Sequence, residues 1–458
     1  MTETKKTITF AGVAVTLAVL AFLVNLPQGK TPDAFFDKGE LFFPNFTDPN
    51  EATTLEVIDF DEGTGSAAPF KVTFKDGLWT IPSHHDYPAD GKDRLAKTAA
   101  GVIQIRKDDF RSDNVADHET CKVIDPLDET ATSLKGRGQR ITIKGKDEEI
   151  LADFIIGKEM AGREKFRFVR VPGQKRVYAA RIDVDISTKF TDWIEPDLLQ
   201  VNKENIKQVT LKDYSINERT GQIDQRDVLT LDKKDDKWSA NKMPAGHEVD
   251  ETKMNDLLRA IDDLNIVGVR PKPAGLSQSL ERVSDGVSIT QSDMLSLQSK
   301  GYYFTRDGHL VSNEGEMQVR TKEGITYTQR FGEIVYGSGL AVTAGTDTST
   351  INEKGGGENR YLFITTDFDA KEFGPEPPKP KNTDFKNKPD SLLTDTDRKN
   401  KELQNAFDAW QQEIEHSKKL SDDLNKRFAR WYYVISQSSF EKLHLTRKGL
   451  LKKKEKTS

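Results

Sequence analysis

One order of segments occurs twice along the chain, and that repetition restricts its folding more than any other feature. In the first pass "TTLEVIDFD" alternates as a strand, and "FKVTFKDGLWTI" reads as strand, turn and strand ending near Trp79. "PADGKDRLAKTAAGVIQI" follows as a helix capped by Asp90. In the second pass "NIKQVTLKD" is followed by "VLTLDKKDDKWSA", which ends near Trp238, and then by "VDETKMNDLLRAIDDLNIV", a helix capped by Asp250. There Met254, Leu257, Leu258, Ile261 and Leu264 recur at the i, i+3, i+4, i+7 spacing of one buried face.

The parallel runs on. "ITIKGKDEEILADFIIG" and "VRTKEGITYTQRFG" both read as hairpins closing on a bulky residue and a glycine, Ile156-Gly157 and Phe331-Gly332. "FRFVRV" then "RVYAARI" in the first pass correspond to "RYLFITT" then "RWYYVI" in the second, and the passes approach their ends at Leu198-Leu199 and Leu450-Leu451. Chance supplies one shared hairpin, but not this whole order. The expected body is therefore a duplicated, antiparallel, β-rich α+β module.

In the second copy residues 374–430 separate the two late strands. This insert opens with "GPEPPKPKN", a stiff extended linker. It continues as a helix whose seam runs Leu403, Phe407, Trp410, Ile414, Ser417, Ser421, Leu424, Phe428, Trp431 in steps of four and three. A seam with two serines at its centre makes a poor independent coiled coil, which leaves packing on its own module or contact with a partner helix. The tail "LTRKGLLKKKEKTS" reads as a solvated basic end, with contact to anionic lipid as the alternative.

Ahead of both copies, "TITFAGVAVTLAVLAFLVNLPQG" carries no charge from Thr7 to Gly29, enough residues to cross a bilayer core of about 30 Å. Its Leu, Ile, Val and Phe side chains sum to roughly −5 kcal/mol on the insertion scale, which outweighs Thr9, Thr16 and Asn25. Because Phe22-Leu23-Val24 continues the apolar run past any cleavage region, a retained anchor is expected rather than a cleaved signal. Lys5 and Lys6 precede it and mostly acidic residues follow, so the N-terminus is expected in the cytoplasm and the body outside. The expected organisation is 1–30 cytoplasmic tip and anchor, 31–203 first module, 204–373 second module, 374–430 linker and inserted helix, and 431–458 closing strand and basic tail.

Candidate chemistry is sparse. The net charge of −6 offers no field for a nucleic-acid backbone. Cys121, the single cysteine, excludes an internal disulfide or a Cys-rich zinc cage and reads as a buried, inert thiol. His84 and His85 lie six and five residues before Asp90, whereas His247 lies three before Asp250, so the histidines do not recur with the repeat. Without HExxH or Cys/His spacing they read as a solvated corner. Trp79 and Trp238 read as core anchors of their modules. Gly355-Gly356-Gly357 precedes Glu358 rather than the Lys-Ser/Thr of a phosphate loop, and "GSG" at 337–339 lacks the strand–elbow–helix context of a hydrolase serine. No catalytic, cofactor-binding or metal-ligating residue is assigned, and no cofactor is expected.

The anchor, the joints "DGLWTI…YPAD" and "DDKWSA…HEVD", the run "FIIGKE…FRFVRV…VYAARI", the link "DLLQVNKENIKQVTL" and "GHLVSNEGEMQV" together resemble domain-of-unknown-function family 4340. These are single-pass bacterial membrane proteins often encoded beside gliding-motility-type ABC exporters. The resemblance implies a non-enzymatic extracytoplasmic accessory or scaffold at the bacterial inner membrane, partnered by an ABC transporter or a companion envelope protein. The motifs are diffuse and transfer no active-site residues. An envelope enzyme with a site assembled from distant residues, and a structural envelope linker, are the alternatives.

Overall fold

The computed structural model describes residues 36–454 apart from 64, 218–219, 221, 282–288, 338 and 346–357. The expected anchor and the triple glycine lie outside the described residues, among which no helix is long and apolar enough to cross a membrane.

Strands β1 (Thr54–Asp61), β2 (Ser66–Lys75), β3 (Leu78–Ile81), β4 (Tyr87–Pro88), β5 (Asp109–Ser112), β6 (Gln139–Lys144), β7 (Ile150–Glu159), β8 (Phe166–Arg170) and β9 (Val177–Arg181) make one sheet. Its order is β4-β3-β2-β1-β6-β7-β8-β9-β5. The second copy supplies β10 (Ile206–Asn217), β11 (Gln222–Lys234), β12 (Lys237–Ala240), β13 (His247–Val249), β14 (Gly268–Pro271), the ribbon β15 (Tyr302–Phe304) and β16 (Leu310–Ser312), then β17 (Glu316–Thr321), β18 (Ile325–Val335), β19 (Asn359–Phe368) and β20 (Trp431–Ser436). The second sheet runs β12-β11-β10-β17-β18-β19-β20-β14. With its edge strand β4 left out, the first order becomes the second when β1, β2, β3, β5 and β6–β9 are replaced by β10, β11, β12, β14 and β17–β20. The ladders β1–β6, β6–β7, β7–β8 and β8–β9 are antiparallel, and so are their counterparts β10–β17, β17–β18, β18–β19 and β19–β20. The α+β class and the large antiparallel sheets agree with the sequence reading.

The helices are α1 (Lys92–Ile103), α2 (Asp117–Cys121), α3 (Glu251–Asp262), α4 (Ala274–Glu281), α5 (Gln291–Gln298), α6 (Leu340–Thr343), α7 (Asp395–Ala429), α8 (Gln437–Leu443) and α9 (Arg447–Leu450). Helix α1 joins β4 to β5 as α3 joins β13 to β14. Asp250 caps α3 as expected, its carboxylate accepting from Thr252 N–H at 3.0 Å and Lys253 N–H at 3.2 Å. Asp90 does not cap α1, which begins two residues later; its own N–H donates to Trp193 O.

A bulge recurs in each copy. The pairing register shifts after Ile156 in β7 and after Phe331 in β18. The next residue is glycine both times, and an added Cβ would run into the carbonyl oxygen of Cys121 at Gly157, or of Lys300 at Gly332. Each glycine carbonyl also accepts from an arginine of the following strand, Arg167 Nε at 2.9 Å and Arg360 at 2.7 Å. The sequence signal Ile-Gly and Phe-Gly therefore marks a place where a second backbone lies against the sheet. Gly157→Ala and Gly332→Ala should each cost about 2 kcal/mol by chemical denaturation, because backbone rather than a flexible side chain must move.

The chain divides into two compact units, Met1–Phe70 with Asp93–Ile186, and Lys71–Lys92 with Ser187–Ser458. Leu55, Val57, Val102, Ile141, Ile143, Phe154 and Val169 form the core of the first; Val209, Leu231, Met254, Leu257, Ile261, Met317, Val319, Ile364 and Tyr433 lie in that of the second. The tryptophan expectation needs correction. Trp79 and Trp238 are only half-buried, and the fully buried indole is Trp193, which donates to Ser187 O at 2.9 Å. Both expected anchors sit on short strands at or near a sheet edge.

The inserted helix packs on its own unit at its C-terminal end. Pairing of β19 with β20 covers Asn359–Leu362 and stops, leaving the edge of β19 open beyond. At Thr366 the side chain of Asn425 takes over, accepting from Thr366 N–H at 3.0 Å and donating to its carbonyl at 2.8 Å. Ser417 and Ser421 are buried there, and Ser421 O accepts from the Thr366 hydroxyl at 3.2 Å. The serines that interrupt the seam are thus points of close approach, where a leucine would hold helix and strand apart. At the other end a capping box joins Thr394 and Asp397, and Lys388 reaches the Asp397 carboxylate at 2.8 Å. The tail is folded through Lys454, with Lys452, Lys453 and Lys454 exposed. Strand β21 (Leu451–Lys453) pairs antiparallel with β13, and Arg447 binds the Asp227 carboxylate at 2.9 and 3.1 Å.

Candidate functional site

The turn "IPSHHDYPAD" builds the first feature of interest. Pro82–His84 form one 3-10 turn, and His85 and Asp86 follow with φ of 61° and 58°. Two consecutive left-handed residues reverse the chain, so β4 returns beside β3 with Thr80 facing Pro88 and Ile81 facing Tyr87. The corner is real but not solvated. His84 is 2% exposed, and its ring stacks on Phe190 at 4.5 Å. Its Nδ1 lies 3.0 Å from Ser83 Oγ and its Nε2 2.9 Å from Thr343 Oγ1. His85 Nε2–H donates to Ala344 O at 2.7 Å. Burial, helped by His85 and Arg270, pushes the His84 imidazole down to about 4.

Arg270 closes the same knot, donating to the carbonyls of Ala341 at 2.6 Å and Val342 at 3.0 Å. The backbone from 341 to 344 is thereby held by a guanidinium and an imidazole. Both nitrogens of His84 are engaged, so this ring tethers a chain segment and offers no free lone pair to a metal. Among the described residues no group of three or more His, Cys, Asp or Glu side chains has metal-binding geometry. Cys121 is buried, and burial raises its thiol pKa, which keeps it protonated.

The second feature is a groove at the base of α7, with a volume of about 610 Å³. Tyr87 and Trp431 contribute an aromatic surface, edge to face at 5.0 Å. Lys426 and Arg427 come from the last turn of α7 and Arg430 is its C-cap, while Asp90 and Glu195 add two carboxylates. Arg427 donates to Asp197 O at 3.1 Å, while the Arg430 guanidinium lies 5.9 Å from the Trp431 ring. Burial pushes the Tyr87 phenol up to about 12, so it stays a neutral donor. Cations suit the negative C-terminal end of a long helix, and together with the aromatic surface they form a polar contact surface rather than an acid–base pair.

The third feature anchors that helix. Lys272 is buried beyond the end of β14; its N–H donates to Arg430 O, and its ammonium donates to Phe428 O at 2.8 Å. The same ammonium lies 3.8 Å from the centre of the Phe363 ring and 5.5 Å from that of Tyr432. Burial drives its pKa well below the ordinary lysine value. One side chain thus ties the last turn of α7 to the sheet. Sequence reasoning passed over Arg270 and Lys272. Their only signal was two cations inside "VGVRPKP", a short β-branched stretch where exposed charge would be unremarkable.

The fold defines a class: a tandem α+β protein built from two copies of one antiparallel sheet, the second bearing an inserted helical arm. Residues 79–279 match the family model described as Domain of unknown function (DUF4340), which supports the resemblance read from the sequence. The match runs from the first hairpin through the link between copies and into α4. No curated protein matches the chain, and no solved structure does.

Proposed function

We propose that the protein is a non-enzymatic, membrane-tethered accessory or scaffold subunit of an ABC transport system, with its body on the extracytoplasmic side of the bacterial inner membrane. The observation that carries this reading is the arm. Helix α7 has 35 residues, about 52 Å of helix, and its fully buried side chains cluster toward its two ends. Between them Leu403, Phe407, Trp410 and Ile414 form a half-buried apolar ridge. A helix fastened at both ends with such a ridge between them suits contact with another helix more than it suits chemistry. The apolar, uncharged Thr7–Gly29 segment supports the tether, and the family resemblance supports the transporter link.

The full chain, tagged and extracted in mild detergent with the neighbouring genes intact, is expected to co-purify with the permease or ATPase of the transporter. Introducing glutamate at Phe407 and Trp410 should abolish that recovery while the chain still inserts. Recovery of no transporter component from the wild-type chain would defeat the proposal.

A further inference from the structure

The two copies differ where their helix meets the edge hairpin. In the first, the residue before α1 is Gly91, and an added Cβ would meet Val72 at 3.1 Å and Trp79 at 3.2 Å. The backbone at Gly91 lies flush against that indole, which also packs on Phe74 at 5.3 Å. In the second copy the matching residue is Asp250. Among the described residues no aromatic ring packs on Trp238. A cleft of about 320 Å³ is lined by Trp238 and Leu258 together with polar groups of α3, of the turn Lys203–Asn205 and of the end of β11.

Charge around this cleft is balanced. Lys203, Lys233 and Arg259 are matched by Glu204, Asp236 and Glu251. Lys233 pairs with Asp236 at 3.4 Å, and Arg259 with Asp256 at 2.9 Å. The remaining polar side chains are Lys203, Glu204, Glu251 and Asn255, for which no side-chain hydrogen bond or ion pair is formed among the described residues. A balanced set discriminates against polyanions and polycations alike. It offers donors and acceptors side by side, beside a flat apolar indole.

The geometry points to a carbohydrate subsite that takes a β-linked pyranoside. Such a ring with equatorial substituents has one face of C–H bonds, which fits the face of Trp238. Its rim of hydroxyl groups needs both the donors of Lys203 and Asn255 and the acceptors of Glu204 and Glu251. The volume lies near the lower end of the range for ligand pockets, about 300–1,000 Å³, which suits one or two sugar rings rather than a long chain. This inference rests on the second copy alone and holds whether or not a transporter is the partner.

The test is titration of the full chain with cellotriose and with N,N′,N″-triacetylchitotriose, followed by saturation-transfer NMR and tryptophan fluorescence. At least one should bind saturably with a Kd on the order of 1 mM. Trp238→Ala should weaken binding by at least about tenfold, Trp238→Phe by less, and added salt should change little. Trp79→Ala, with its fold verified by circular dichroism, should bind as the wild type does. Failure of both trisaccharides to bind, equal binding by the Trp238→Ala chain, or displacement by heparin would overturn the assignment.

Discussion

Lowering the pH from neutral to about 4 should remove about 3 kcal/mol of stability from the unit that contains residues 71–92 and 187–458, through one histidine. His84 titrates near 6.5 when unfolded and at about 4 in place. Its folded pKa is depressed, so the unfolded chain takes up the proton first as pH falls. The contribution is complete above 6.5 and disappears progressively down to about 4. Protonation would place a charge against Phe190 and turn the acceptor nitrogen of a doubly bonded imidazole into a second donor. The check is a series of urea denaturations across this range on the wild type and on His84→Gln. The variant should start less stable, because it loses the stacked ring, but its midpoint should fall far less with acid. An equal acid slope in both chains would remove His84 as the cause.

Truncating Lys272 to alanine should cost about 3–5 kcal/mol and release the base of α7. The change removes a buried stem packed on Phe363 and Tyr432, and it leaves the Phe428 carbonyl without the donor it has in the fold. Lys272→Met should cost much less, since the stem is kept and the expense of burying an ammonium disappears with the charge. Denaturation midpoints give the ranking wild type, Met, Ala. Limited proteolysis locates the effect: cleavage near residues 425–431 should appear first in the alanine variant. A methionine variant as unstable as the alanine one would mean that the ammonium, rather than the stem, holds the arm.

The repeat was legible because strand periodicity and paired turns are local. "FRFVRV" and "RYLFITT" became β8 and β19, "ITIKG" and "VRTKEG" opened the expected hairpins, and Met254, Leu257, Leu258 and Ile261 became the buried face of α3. Ile156-Gly157 and Phe331-Gly332 were visible as a recurring pair, although their reason was not, since the carbonyls they accommodate belong to Cys121 and Lys300, more than thirty residues away in each case. Asp90 looked like Asp250 in sequence but was not a cap, because α1 starts later by two residues.

Most of what could serve function depended on distance rather than pattern. His84 was indistinguishable from a solvated turn histidine until Phe190 and Thr343 arrived from remote parts of the chain. Trp79 and Trp238 appeared equivalent, yet Gly91 lies against one indole while Asp250 stands at the matching position of the other copy. The amino-acid order alone therefore determined the elements and their duplication, because alternation, helical spacing and turn residues act over a few neighbours. Which histidine is buried, which cation holds the arm and which tryptophan is left beside a cleft were decided only by tertiary packing. Desolvation depends on what comes to cover a group, and the covering residues here come from segments far apart in the chain.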